Sequence, residues 1–159
     1  MKRIPLTQGK FALVDDEDYL TISRYKWCFG NNGYAIRSSY KTNSNHSLMH
    51  RMIIDTPKGM LTDHINGDKL DNRRSNLRIA TKSENMMNAG MRTNNKSGFK
   101  GVTWSKNAKK WASQIMINGR HIHFGYFDDP KDAALAHDNG ARKYHLDFAK
   151  TNAEIAGLK

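Results

Sequence analysis

Asn118 and Gly119 separate two runs that alternate apolar and polar residues, KWASQIMI at 110–117 and HIHFGYF at 121–127. An Asn-Gly pair in that position specifies a two-residue type I′ turn, because both central residues must take positive φ. The turn fixes the pairing behind it: Ile117 with Arg120, Met116 with His121, Ile115 with Ile122, Gln114 with His123, and Ser113 with Phe124. Side chains alternate along a strand, so Ile115, Ile122 and Phe124 share one face, while Gln114, Met116, His121 and His123 share the other. The first face is a core and the second is polar.

The flanking sequence supplies what covers that core. FKGVTW at 99–104 is a third strand, and DPKDAALAHDNGARKYH is a helix capped by Asp129 with Pro130 in its first position. Ala133, Ala134, Ala136, Gly140 and Ala141 let the helix lie close against the sheet. Upstream, GMRTNNKS at 90–97 is small, polar and basic and reads as a linker. Residues 98–155 therefore form one small module after a linker at 89–97, and 1–88 form another.

The second module resembles the AP2/ERF domain along its whole length. The matching features are Lys-Gly-Val at 100–102, Trp111-Ala112, Phe124-Gly125-Tyr126-Phe127, the alanine-rich helix and the closing Asn152. The resemblance implies a three-stranded sheet that enters the major groove of duplex DNA, with Lys100, Thr103, Gln114, Met116, His121 and His123 at base-reading positions. Gln, Met and His stand where the plant family commonly has Arg, Glu and Trp, so bidentate arginine–guanine contacts are fewer, and Gln114 suits adenine. An ordinary solvated sheet face is the alternative for these residues, and a metal held by His121 and His123 lacks a third ligand nearby.

Charge points to the same partner. Of the 159 residues, 26 are Lys or Arg and 15 are Asp or Glu, a formal net charge of +11. The excess is spread along the chain: 7 basic against 4 acidic in 1–50, 9 against 5 in 51–97, and 10 against 6 in 98–159. A basic body of this kind is the electrostatic footprint of a nucleic-acid binder. No run of about 18 apolar residues would span a membrane, and MKRIPLTQGK holds no apolar run for a signal peptide. The one cysteine, Cys28, excludes an internal disulfide and a CxxC zinc knuckle; between Trp27 and Phe29 it reads as a small buried residue. The expectation is an intracellular, cytoplasmic protein with no implied protein partner.

In the first module, residues 3–14 read as short strands around Gly9, and DDED at 15–18 as a helix cap rather than a metal cage. YAIRSSY at 34–40 is a strand, SLMHRMIID at 47–55 a short helix, and Pro57 and Gly59 break the chain. The informative stretch is DHINGDKLDNRRSNLRIATKSEN at 63–85. Hydrolysis of a phosphodiester needs a base for water and a cation for the developing charge. His64 is the natural base and Asp63 a hard oxygen ligand for Mg²⁺ or Mn²⁺. Adjacent strand residues point to opposite faces, an objection met if the strand ends at the turn signal INGD. LRIAT at 77–81 is the second strand, and Thr81 with Glu84 forms a capping box that starts a helix near Lys82.

Strand, loop, strand and helix with these residues resembles the ββα-metal fold of HNH homing endonucleases of phages and introns. The three signature positions fall on His64, Asn76 and Asn85, spaced 12 and 9 residues apart. The resemblance covers about 40 residues, His50 to Asn88, and implies an α+β nuclease module. It implies His64 as general base, Asp63 and Asn85 as ligands of one divalent cation, and Asn76 as the residue that holds the loop so that His64 is aimed. Many relatives have histidine at the third position, so Asn85 makes metal affinity low, and Asn88 is a rival ligand. Arg51, Arg73, Arg74 and Arg78 are candidate phosphate contacts. His50, in MHRM, suits packing or a phosphate contact.

Together these features predict a metal-dependent endonuclease on double-stranded DNA, from a phage or mobile element, with an appended DNA-reading module. A non-catalytic DNA-binding regulator is the rival. An RNA-processing nuclease is disfavoured by the lack of an aromatic stacking surface.

Overall fold

In the computed structural model, which describes residues 1–37 and 47–157, the chain divides into two units, Met1–Thr81 and Lys82–Lys159. Antiparallel β1 (Lys2–Pro5) and β2 (Phe11–Val14) pair around a turn at Thr7–Gly9, with Ile4 opposite Ala12. Ile4, Ala12 and Val14 are buried because alternation sends them to one face. Helix α1 (Asp16–Ile22) follows, and Trp27 packs behind it, its Nε1 donating to the Ile22 carbonyl at 2.9 Å. Short strands β3 (Cys28–Phe29), β4 (Ala35–Arg37) and β5 (Ser47–Leu48) make a second small sheet, and α2 (Met49–Ile53) closes the core with Met49 and Ile53. The last hairpin of the unit is β6 (Leu61–His64) with β7 (Leu77–Ala80), and Leu77 joins the same core.

One expectation for this unit, that for Cys28, is corrected, and two others gain detail. The strand expected at 34–40 is a strand at Ala35–Arg37; Tyr34 precedes it, and residues 38–40 lie outside the described residues. As DDED leads one to expect, Asp15 occupies the cap position of α1 with Asp16, Glu17 and Asp18 in its first turn, and the Asp15 side chain accepts from the Arg74 backbone N–H at 2.8 Å. Cys28 is exposed rather than buried, because the core side of this stretch is taken by Trp27.

The second unit opens with α3 (Lys82–Asn88), which starts at the residue that the Thr81–Glu84 pattern indicates. The sequence reading carried the first module through residue 88, whereas the division of the chain falls before this helix. Strands β8 (Val102–Ser105), β9 (Lys110–Ile117) and β10 (Arg120–Phe127) form an antiparallel sheet in the order β10-β9-β8. The Asn118-Gly119 turn has φ of +48° and +78°, and the four pairs nearest to it are those that the turn dictates. The fifth is not: Ser113 pairs with Gly125, so Phe124 sits in a β-bulge. A bulge needs a backbone that bends, and Gly125 supplies it at φ +127°.

Helix α4 (Pro130–His145) covers the apolar face, with Asp129 Oδ1 accepting from the Lys131 N–H at 2.7 Å as its cap. Two glycines permit this close fit. A Cβ on Gly140 would lie 2.1 Å from the Phe124 ring, and one on Gly101 would lie 1.9 Å from the His137 ring. A final short helix, α5 (Asn152–Ile155), is tied back by Asn152, which accepts from the Lys100 N–H at 2.6 Å and donates to Asp138 at 2.8 Å. No helix among the described residues is long and apolar enough to cross a membrane.

The Phe124–Gly140 contact makes a prediction in which two effects oppose each other. Alanine would favour the helix by about 1 kcal/mol over glycine, but here its methyl group must displace an aromatic ring. Overpacking of this kind costs about 1–3 kcal/mol, so Gly140→Ala should lower the urea midpoint of the chain.

Candidate active site

The strand β6 ends where the sequence requires it to, at His64, with Asp63 opposite Arg78 and His64 opposite Leu77 across the hairpin. Both Asp63 and His64 are about 5% exposed. Asp63 Oδ2 accepts from Arg78 Nε at 2.8 Å and lies 2.7 Å from its Nη2. Arg78, expected on phosphate, thus stands in an ion pair with Asp63.

His64 is set among other side chains. Its Nε2 lies 3.3 Å from Asn72 Oδ1. The His50 ring meets it edge-on at 5.0 Å, and the Tyr34 ring lies 5.8 Å from it and 5.0 Å from His50. Lys69 holds the outer side of this group, its Nζ 4.9 Å from the Tyr34 ring and donating to the Asn32 carbonyl. Burial pushes the His64 pKa below its ordinary 6.5, and the hydrogen bond to Asn72 with the charges of Asp63, Asp68 and Asp71 pulls the other way. His50 is pushed down to about 3, by burial first and then by the proximity of His64 and Arg51. Its Nδ1 is buried without a hydrogen-bond partner among the described residues. The packing reading of His50 is the one this geometry supports.

The loop from Ile65 to Asn76 is held from within. Asn76 Oδ1 accepts from the Asn66 N–H at 2.9 Å, its Nδ2 donates to the Asp71 carbonyl at 2.8 Å, and its own carbonyl accepts from the Ile65 N–H at 2.9 Å. Asp71 also accepts from Asn66 Nδ2 and from Arg73 Nε and Nη2, at 3.0, 2.7 and 2.6 Å. The loop is then fixed to the N-terminal hairpin. The Leu13 N–H donates to the Leu70 carbonyl at 2.8 Å, and the Asn72 N–H donates to the Leu13 carbonyl at 2.9 Å. Arg74 reaches Asp18 from Nε and Nη2 at 2.8 and 2.7 Å, and Glu17 at 2.8 Å.

Arg51 is likewise spent on the fold, donating to the carbonyls of Met60, Thr56 and Pro57 at 3.3 to 3.4 Å. All four arginines expected on phosphate therefore have protein partners. Lys100 is also turned inward, its Nζ donating to the Met87 carbonyl at 2.6 Å, with burial lowering its pKa to about 8. Thr103, Met116, His121 and His123 are exposed and Gln114 is partly so, all on the sheet face that α4 leaves uncovered. Tyr126, which sequence reasoning passed over, belongs with them: it is 53% exposed and its ring lies 4.6 Å from that of His123. The bulge is the reason, since it shifts Tyr126 into register with Ala112.

Of the residues expected to hold a cation, Asp63 ends β6, Asn85 lies in the body of α3 and Asn88 ends that helix. Among the described residues no group of three His, Cys, Asp or Glu could hold a metal. A single carboxylate such as that of Asp63 is a donor of the type Mg²⁺ or Mn²⁺ takes, since Mg²⁺ commonly uses one or two carboxylates and fills its remaining positions with water and substrate phosphate. Asn72, buried completely and bonded to His64, is the residue that sequence reasoning missed. Its only signal was its place in a turn-rich DNRR stretch, which any loop asparagine shares.

Comparison with known proteins meets this geometry at the same residues. The HNH endonuclease family model matches residues 55–87. Protein 3.8 of Escherichia phage T7 is 33% identical over 94 residues, covering 56% of this chain and 78% of its own length. The chain belongs to the HNH endonuclease family. An uncharacterized HNH endonuclease, L560, of Acanthamoeba polyphaga mimivirus is 29% identical over 147 residues, which is 91% of this chain and 76% of that protein. A putative HNH homing endonuclease, YosQ, derived from the SPbeta prophage of Bacillus subtilis is 43% identical over 54 residues, 31% of each chain. No solved structure matches. As an HNH endonuclease, this chain is a nuclease whose matched segment contains Asp63, His64, Asn72, Asn76 and Asn85.

The buried histidines make acid stability a test of the site. A histidine held neutral in the fold binds its proton more readily once unfolded, so the stability it contributes is complete above about pH 6.5 and is lost as pH falls toward the folded value. For His50 that window runs from 6.5 to about 3, at up to about 1.4 kcal/mol per pH unit. The unfolding midpoint should fall steadily between pH 6 and pH 4, and His50→Phe should make that decline shallower.

Proposed function

We propose that this chain is a divalent-metal-dependent endonuclease that hydrolyses phosphodiester bonds of double-stranded DNA, using His64 as general base. The observation that carries this reading is a buried imidazole, neutral at pH 7, at the end of β6 next to a buried carboxylate, with a hydrogen bond fixing its ring. A base must be unprotonated at working pH and immobile relative to the bond it acts on. His64 meets both conditions. Asn76 supports the aim of His64 by closing the 65–76 loop upon itself.

Asp63 and Asn85 are the assigned cation ligands, with Asn88 as the rival to Asn85. A bound Mg²⁺ or Mn²⁺ would offset charge on the scissile phosphate. Arg78 orients Asp63 for that task.

The uncovered face of the β8–β10 sheet is the proposed groove-reading surface of an AP2-like module. The residues assigned to it are Thr103, Gln114, Met116, His121, His123 and Tyr126, and the net charge of +11 supplies the attraction to the duplex. Lys100 is assigned to holding α3 through Met87 rather than to a base. A phage or mobile-element protein acting inside a host cell accords with this activity.

Two experiments test the reading. Supercoiled plasmid with Mg²⁺ or Mn²⁺ should be nicked by the chain, and His64→Ala should reduce the rate by about 10²- to 10⁴-fold; equal rates would remove His64 from the base role. Gln114→Ala should weaken binding to a selected site by about 1–3 kcal/mol while leaving binding to random duplex unchanged.

A further inference from the structure

At the bulge in β10 the regular ladder is interrupted, and there the Gly125 backbone N–H donates to Nδ1 of the His123 ring at 3.1 Å. The Tyr126 ring, 4.6 Å away and inclined by 54°, flanks the same imidazole. His123 is thus held from two sides on the sheet face that α4 leaves uncovered, directly across the strands from Gln114.

A backbone N–H can only donate, so Nδ1 must offer its lone pair to Gly125. A neutral imidazole has one ring hydrogen, which then sits on Nε2. His123 therefore presents a donor, and no acceptor, to whatever lies in front of the sheet. We propose that His123 is a specificity-determining residue that reads guanine in the major groove, its Nε2–H donating to the N7 and O6 edge. This rests on the reading of the β8–β10 face as the groove-reading surface.

The choice of guanine follows from the groove edges. Guanine sets two acceptors, N7 and O6, side by side, whereas cytosine sets an amino donor there. Against guanine the ring gains a hydrogen bond; against cytosine two donors meet, and both have given up water without return. Adenine flanks its acceptor with an amino group and thymine with a methyl group, so guanine alone accepts across its whole edge. Gln114, opposite His123, carries both a donor and an acceptor and matches the mixed edge of adenine. The two cross-strand neighbours ask for different purines.

Two measurements on the full chain test this. In ¹⁵N NMR near pH 7.5, the His123 side-chain signals, assigned through the backbone, should show Nε2–H and a bare Nδ1. In selection from random duplexes without divalent cation, so that no strand is cut, the bound sites should share one guanine whose replacement weakens binding about three- to tenfold. His123→Phe keeps a ring beside Tyr126 and lacks the donor; it should abolish that one preference and leave the other positions and binding to random duplex unchanged. His123→Asp, an acceptor, should move the preference to cytosine, with weaker binding throughout. An Nδ1–H signal in the unsubstituted chain overturns the proposal whether or not any variant folds. If positions are selected but none responds to His123→Phe, the groove-reading face stands and the assignment to His123 fails. If the unsubstituted chain selects no position at all, the groove-reading face itself falls, and the proposal with it.

Discussion

The attachment of the 65–76 loop to the N-terminal hairpin is the constraint on which the rest of the first unit depends. Two backbone hydrogen bonds, between Leu13 and the residues Leu70 and Asn72, bring an otherwise polar loop to the edge of β2. Arg74 adds the ion pairs with Asp18 and Glu17, and the buried partner Asp18 makes that pair more than a surface contact. A loop of this composition left in water would sample many conformations, and ordering each residue costs about 1–2 kcal/mol. The N-terminal β-hairpin and α1 therefore act on the site without contributing a catalytic atom. Their part is to set where Asn72 stands, and through it where the His64 ring stands.

Electrostatics in the same unit show a division of labour among charges. The acids of 15–18 and of 63–71 lie in two distant stretches of sequence, and three of them are matched by a different arginine each: Asp18 by Arg74, Asp71 by Arg73, Asp63 by Arg78. Arginine suits this work because its planar fork gives two parallel bonds to one carboxylate. Asp71 titrates below the ordinary carboxylate range because the Arg73 guanidinium is bonded to it, so that pair persists further into acid.

How much of this was legible in the sequence depends on the range of the interaction. The Asn118-Gly119 turn is local chemistry, and it placed four strand pairs correctly; the fifth failed because a bulge at Phe124 answers to the helix packed on it, not to the turn. Asp63, His64 and the start of α3 at Lys82 were legible for the same local reason, as a strand end and a capping pattern. The internal partner of Arg74 was not legible, because counting charge says nothing about a partner 56 residues away in sequence, as Asp18 is. Asn72 was invisible for a related reason. Its neighbours Leu13 and His64 are brought to it only by the tertiary fold.

That Arg51, Arg73, Arg74 and Arg78 have partners within the protein changes what ionic strength does to this molecule. Salt screens exposed charges separated by water but has little effect on pairs that are partly desolvated and in direct contact, such as Arg78 with Asp63, whose side chains are 17% and 6% exposed. The basic groups left to meet a polyanion are mostly lysines, mobile and strongly hydrated. Folding and attraction to nucleic acid thus draw on two separate sets of positive charge, one that salt barely reaches and one that it governs.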